Sequence, residues 1–435
     1  MEFATGFLVK NTRMTQNSTF KNALSNYWNR LILCCALAFG LLITANKVHG
    51  QIKPTAVRLA GMVSDSAIQA SPLTVSLLTC SPGADLYSSF GHTAIRVQDR
   101  LLHTDFVFNY GTFQFDQPNF YLKFTRGKLE FMLSISTFEE FMYEYKVTQR
   151  SVTEQVLNLS NEQKDAILGF LKNNYLPQNR YYKYDFLYDN CATRIRDILF
   201  GLVKDTKING QIVPDQTSFR DLIYHYLDKG GQPWSKLGID ILLGSRIDIP
   251  VDNNTAMFLP DYLSRGVDCA TVVNKPYVLS EKKIIDLPAA ISPSGKYLPL
   301  VVVSIFTLLL LTLYYLGKNW PKLHLILDSL LLYITGLLGI LLLFMWFGTD
   351  HQACKNNYNL LWAMPFNLVA GFFIYKPRKW LQKYFMILLI ITALLLGFWW
   401  GLPQHFNIAI LPFCILMLIR YGALASRKII KKDSL

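Results

Sequence analysis

With 435 residues the chain has room for two or three domains, and 51% of it is hydrophobic. A formal charge of +13 would suit a nucleic-acid partner. Much of that excess, however, sits between and after long apolar runs in the last third of the chain, where a membrane accounts for it, so no nucleic-acid partner is indicated.

In chain order, residues 1–50 read as a signal peptide or N-terminal anchor. Lys21 and Arg30 precede "LILCCALAFGLLITA", a run of fifteen apolar or small residues followed by "NKVHG". A basic flank, a short apolar region and small residues near a cut are the marks of export. Residues 51–295 have the mixed composition of a water-soluble domain. "LTVSLLTC" (73–80) reads as a buried strand, "HTAIRVQ" (92–98) and "LHTDFVFNYG" (102–111) as a hairpin, and "KLEFMLSIS" (128–136) as a further strand. "SNEQKDAILGFLKNNYL" opens on Ser160 and Gln163, the spacing of a capping box. "CATRIRDILFGLV" carries a helical stripe of Ile195, Ile198, Leu199 and Leu202, with Asp189 or Asn190 as its N-cap. "VPDQTSFRDLIYHYL" begins another helix. Antiparallel strands with a few helices make an α+β domain.

Residues 296–422 form an all-α membrane domain of about five helices. Its apolar segments cover roughly 298–316, 325–347, 359–375, 384–402 and 407–420, and each is near the length that crosses about 30 Å of hydrocarbon. Alternate connections and the tail, including 423–435, carry eleven Lys and Arg, whereas the opposite connections carry Lys355 alone. This asymmetry puts the C-terminus in the cytoplasm and the 51–295 domain outside, as the signal also requires. Five spans exceed what anchoring needs and suit a lipid substrate.

Three cysteines fall in the exported domain: Cys80, Cys191 and Cys269. An odd number leaves one thiol to explain, and a Cys80–Cys269 disulfide stays open. Cys191 follows Asn190 at the start of a helix, where free N–H groups and the helix dipole favour a thiolate. A thiol nucleophile needs a base, and His92, after Gly91 at the head of a strand, is the best placed of His92, His103 and His225. If Gln98 pairs with His103, His92 lies opposite Asn109, and Asp105 lies opposite Arg96. Asn109 is then the preferred orienter of the imidazole and Asp105 the alternative. A thiol at a helix start beside an imidazole on a strand is papain-like geometry. An oxyanion hole is expected at the Cys191 N–H, its second donor unassigned. No Cys/His spacing suits zinc, "SSFGH" lacks the glycines of a nucleophile elbow, and no cofactor or metal is called for.

"VSLLTCSPGADLYSSFGHTAIRV", "DFVFNYGTFQF", "FTRGKLEFML", "YDFLYDNCATRIRDIL" and, in the membrane half, "NLLWAMPFNLV" together resemble the Bacteroidota lipoprotein N-acyltransferases over most of residues 70–400. The resemblance implies a circularly permuted papain-like domain in the periplasm, fused to a multi-span inner-membrane domain. It implies Cys191 as the acyl-accepting nucleophile and His92 as its base. The donor would be a phospholipid and the acceptor the α-amino group of a diacylated lipoprotein, with Tyr110 and Arg194 placing a phosphate or carbonyl. A membrane-anchored thiol peptidase or amidase of cell-wall peptides, and a non-enzymatic scaffold, are the other readings.

Overall fold

A computed structural model describes residues 72–113, 118–288 and 295–427; the export signal expected over 1–50 and most of the basic tail lie outside them. Seven strands build the main sheet: β1 (Leu73–Cys80), β2 (His92–Asp99), β3 (Thr104–Thr112), β4 (Glu130–Thr137), β5 (Val152–Leu157), β6 (Tyr181–Lys183) and β10 (Val278–Ile285). Their order is β10-β5-β1-β2-β3-β4-β6, with every neighbouring pair antiparallel. A second, three-stranded sheet joins β7 (Thr206–Ile208), β8 (Ala270–Val272) and β9 (Lys275–Pro276).

Alternation along the strands gives the main sheet two apolar faces. Val75, Leu77, Ile95 and Phe108 point to one face, and Leu78, Cys80, Ala94 and Val107 to the other. Between β3 and β4 runs the short α1 (Phe120–Thr125), and α2 (Phe138–Val147) packs Phe141, Met142 and Tyr145 on the second face. The first face takes α3 (Asn161–Tyr175) and α4 (Cys191–Gly201), together with a more distal helix described below. Both are fixed by capping boxes, Ser160 with Gln163 and Asn190 with Thr193. The central strand β1 is therefore covered on both sides and buried along almost its whole length.

Beyond the sheet, α5 (Phe219–Lys229), α6 (Pro233–Leu242), α7 (Asn253–Ala256) and α8 (Pro260–Asp268) follow; Leu263 and Val267 of α8 join the first-face core. The helix expected from "VPDQTSFRDLIYHYL" starts after the Ser218 cap.

Of the five spans expected, four are continuous helices long and apolar enough to cross a membrane: α9 (Leu298–Leu316), α10 (Pro321–Phe347), α12 (Lys379–Gly397) and the stretch ending in α13 (Leu411–Ala425). The segment expected at 359–375 is a broken passage. A 3₁₀ turn at Tyr358–Leu361 gives way to the seven-residue α11 (Asn367–Phe373), with Pro365 between them. Proline cannot donate to a helix ladder and bars the preceding residue from helical backbone. The break packs against α10 where that helix offers Gly336 and Gly339, and a Cβ at either would strike the backbone of Leu368 or Ala363. Asn367 donates to Thr335 and Tyr421 and accepts from Tyr384, so its amide is satisfied inside the bundle.

The sheet domain is bolted to the helical half at the end of α6. Asn357 and Asn359 donate to the carbonyls of Asp240, Ile241 and Leu242, and Gln404 donates to Leu243. Gly244 lies so close to the Lys355 carbonyl that no side chain fits there. Beneath this contact Arg220 pairs with Asp240 at 2.6 Å and Asp248 at 2.7 Å, all three buried. Asn407 donates to the other oxygen of Asp240, and His405 sits on Asp248.

Candidate active site

Gly91 precedes β2 with φ +79°, and a Cβ there would lie 2.8 Å from the Cys80 carbonyl. Only glycine lets the chain turn so tightly onto β1. His92 then opens β2 directly opposite Cys80. Its Nε2 lies 2.6 Å from Asn109 Oδ1. An amide oxygen only accepts, so Nε2 carries the proton and Nδ1 keeps its lone pair free as a base.

The hairpin register differs from the expected one by two residues: Gln98 faces Asp105 and Ile95 faces Phe108. The cause is the turn. Asp99 Oδ1 accepts from the N–H groups of Leu101 and Leu102, and His103 takes φ 52°, which makes a longer loop. Because side chains alternate with period two, the shift preserves faces. Continued to the strand end it puts Gly111, rather than Asn109, across from His92, while Asn109 reaches the imidazole diagonally. The β3–β4 ladder has an irregularity between Asn109 and Thr112, and Gly111 there has φ +94°. A Cβ on Gly111 would be 3.8 Å from Cys191 Cβ and 4.0 Å from His92 Cε1, so this bare backbone lies against both reactive side chains.

Cys191 is the first residue of α4. Asn190 Oδ1 accepts from the Thr193 N–H, and its amide nitrogen donates to the carbonyls of Phe186 and Phe258, so the cap is tied to two loops at once. The backbone N–H groups of Thr93, Ala192 and Cys191 itself face the sulfur and favour a thiolate. Burial outweighs them and pushes the thiol up to about 11. The helix start thus does not lower the thiol's pKa as expected from sequence, because desolvation exceeds the pull of the N–H groups. Burial likewise pushes the His92 imidazole down to about 4. At neutral pH the resting pair is a neutral thiol beside a neutral base.

Residues 63–223, which hold His92, Asn109 and Cys191, match the family model described as the Lnb N-terminal periplasmic domain, and residues 292–432 match the Lnb transmembrane domain. The chain belongs to the Lnb family. No curated protein and no solved structure matches it. It combines the architecture of Lnb-type lipoprotein N-acyltransferases, a sheet-rich periplasmic domain followed by a helical inner-membrane domain.

The remaining residues expected at the site of this Lnb-family chain lie elsewhere or are committed to other partners. Asp105 forms a two-pronged ion pair with Arg96, at 2.6 and 2.8 Å, and does not meet His92. Tyr110 is 1% exposed and donates its hydroxyl to Asn174, so it is a core residue. Arg194 is held through Nε and Nη2 by both oxygens of Asp189 and lies over the Tyr182 ring at 3.6 Å, which commits that fork to the protein itself. Cys80 and Cys269 are both free, the first buried under α2 and the second exposed. Two residues near the thiol escaped the sequence reading. The Tyr182 hydroxyl is buried without a hydrogen-bond partner. Arg150, two residues ahead of β5, reaches back to the loop before His92 and donates from Nε to the Ser81 carbonyl at 2.7 Å. No motif marks Arg150; only the folded sheet brings β5 to that end of β1.

Proposed function

We propose that this Lnb-family protein is a cysteine-dependent lipoprotein N-acyltransferase working on the periplasmic face of the inner membrane. The observation that carries the reading is the Cys191–Gly111–His92–Asn109 arrangement in a domain bolted to the membrane bundle. In the first half-reaction the Cys191 sulfur attacks an ester carbonyl of a phospholipid while His92 Nδ1 takes its proton. Because the resting pair is neutral, the proton moves as the S–C bond forms. The ester C–O bond breaks, the proton passes to the leaving oxygen, and a lysophospholipid departs. In the second half-reaction the α-amino group of a diacylglyceryl-cysteine attacks the thioester, the amide forms, and the proton it loses restores the thiol. The N–H groups at the start of α4 are suited to stabilise the oxyanion of both steps. Asn109 keeps the imidazole in the reactive tautomer. The C-terminus is cytoplasmic in this reading, by the eleven-to-one charge asymmetry.

The test is intact-protein mass measurement after incubating the purified full chain with phospholipid, beside Cys191→Ala. An added acyl mass that hydroxylamine removes, that the variant lacks and that a diacylated lipopeptide discharges is the expected result. A folded protein that takes no acyl chain from any phospholipid yet cleaves cell-wall peptides would replace this reading with the thiol amidase.

A further inference from the structure

Arg150 has no task in the chemistry above, and its setting is unusual. Its side chain lies at the head of the sheet, where Cys80 is flanked by His92 on one side and Val152 on the other. Two strand spacings of about 4.8 Å thus separate the strand carrying the base from the strand that follows Arg150. Arg150 is only 8% exposed, yet it makes no ion pair among the described residues. Among the described residues its Nη2 is buried without a hydrogen-bond partner and Nε alone is fixed, on Ser81. The Tyr145 ring below it, 4.8 Å from the guanidinium carbon, offers a face, and the neighbouring Glu144 carboxylate feels its charge without forming an ion pair. A buried guanidinium left unpaired costs several kcal/mol by ordinary expectation, so a chain that keeps one has an anion for it.

The surroundings say which kind of anion. The loop joining β1 to His92 closes over Arg150: Gly83 lies against its Cδ, and a Cβ there would be 3.3 Å away. The same loop holds out Leu86 and Tyr87, which are 49% and 79% exposed. Cation below and apolar side chains above match a molecule that is anionic at one point and greasy beside it. Arg150 is anchored on Ser81, next to the Cys80 that pairs with His92, so that point lies at the end of the sheet that carries the base. A guanidinium fork matches phosphate oxygens in pairs.

We propose that Arg150 holds the phosphate of the donor phospholipid, with the 81–91 loop as the wall of that subsite. The assignment rests on the acyltransferase reading and takes over the role that the sequence gave to Arg194. Arg150 binds and orients the donor and leaves the proton transfers to His92.

The experiment compares two acyl donors on the full chain: phosphatidylethanolamine in mixed micelles, read as acyl-enzyme mass, and the uncharged ester p-nitrophenyl hexanoate, read as nitrophenolate release. Arg150→Gln should slow acylation from the phospholipid roughly 10–100-fold more than acylation from the uncharged ester, with Arg150→Lys in between. Equal loss on both donors, or no loss on the phospholipid, overturns the subsite and leaves the acyltransferase reading intact. A wild-type chain that no phospholipid acylates overturns that reading itself. Should Arg150→Gln fail to fold, the wild type decides: glycerophosphoethanolamine should slow iodoacetamide labelling of Cys191, and absence of protection overturns the proposal.

Discussion

At the scale of single residues the site is governed by what surrounds two titratable groups. His92 is held neutral down to about pH 4, whereas an unfolded chain would protonate it near 6.5. Between those values the unfolded state binds more protons than the native one, so stability from this group rises with pH and is lost on acidification through that window. Thermal unfolding of the detergent-solubilised chain should therefore weaken from pH 6.5 towards 4, and His92→Gln should remove that part of the slope. Asn109→Asp would place a carboxylate on Nε2 and raise the imidazole's pKa. The acid limb of thioester formation should then move up from about pH 4, an unmoved limb being evidence against the His92–Asn109 contact in solution. For Cys191 the expected pH profile is alkaline. Iodoacetamide labelling without lipid should keep rising towards pH 11 rather than level off near 9.

At the scale of elements, Asn190 does most to place the nucleophile. Its side chain caps α4 and ties two loops to that cap, so Asn190→Ala forfeits the cap and leaves the Phe186 and Phe258 carbonyls without their donor. The expected cost is about 2 kcal/mol, read as a lower unfolding temperature, with slower Cys191 acylation because the thiol's mooring loosens. Unchanged stability would assign the cap to Asp189 instead. The strand and helix positions around this cap were legible from sequence because periodicity and capping residues are local signals. The α4 start, the Ser160 cap and the β1–β3 strands all sit where those signals put them. The hairpin register was not, since Asp99 lengthens the turn by a side-chain bond that composition does not announce. The break in the third membrane passage escaped the sequence for a related reason. Its apolar run looks uniform, and the weight of Pro365 appears only against the two glycines of α10. Asn109's link to His92 was readable despite the wrong register, because a shift of two keeps side chains on their face.

At the scale of the whole molecule, the contact between α6 and the outer loops makes the sheet domain and the membrane bundle interdependent. Long-range pairs such as Asn359 with Asp240, and Asn407 with Asp240, carry no sequence pattern, and so this contact was invisible beforehand. Asp240→Ala leaves Arg220 buried with one partner removed, and breaking a buried pair in this way costs about 3–5 kcal/mol. The expected outcome is a large loss of thermal stability in the full chain together with loosened α6, seen as faster amide exchange at Ile241–Leu243. A substitution without effect on exchange would mean that the asparagines alone hold the two halves together.

This junction also sets a timetable. Asp240 emerges just past the midpoint of the chain, but the residue that binds its second oxygen, Asn407, lies 167 positions later. At cellular elongation rates that is a delay of roughly ten to thirty seconds. During it the sheet domain's buried acid still lacks its final partner. The sheet domain is therefore completed only when the last membrane segments are in place.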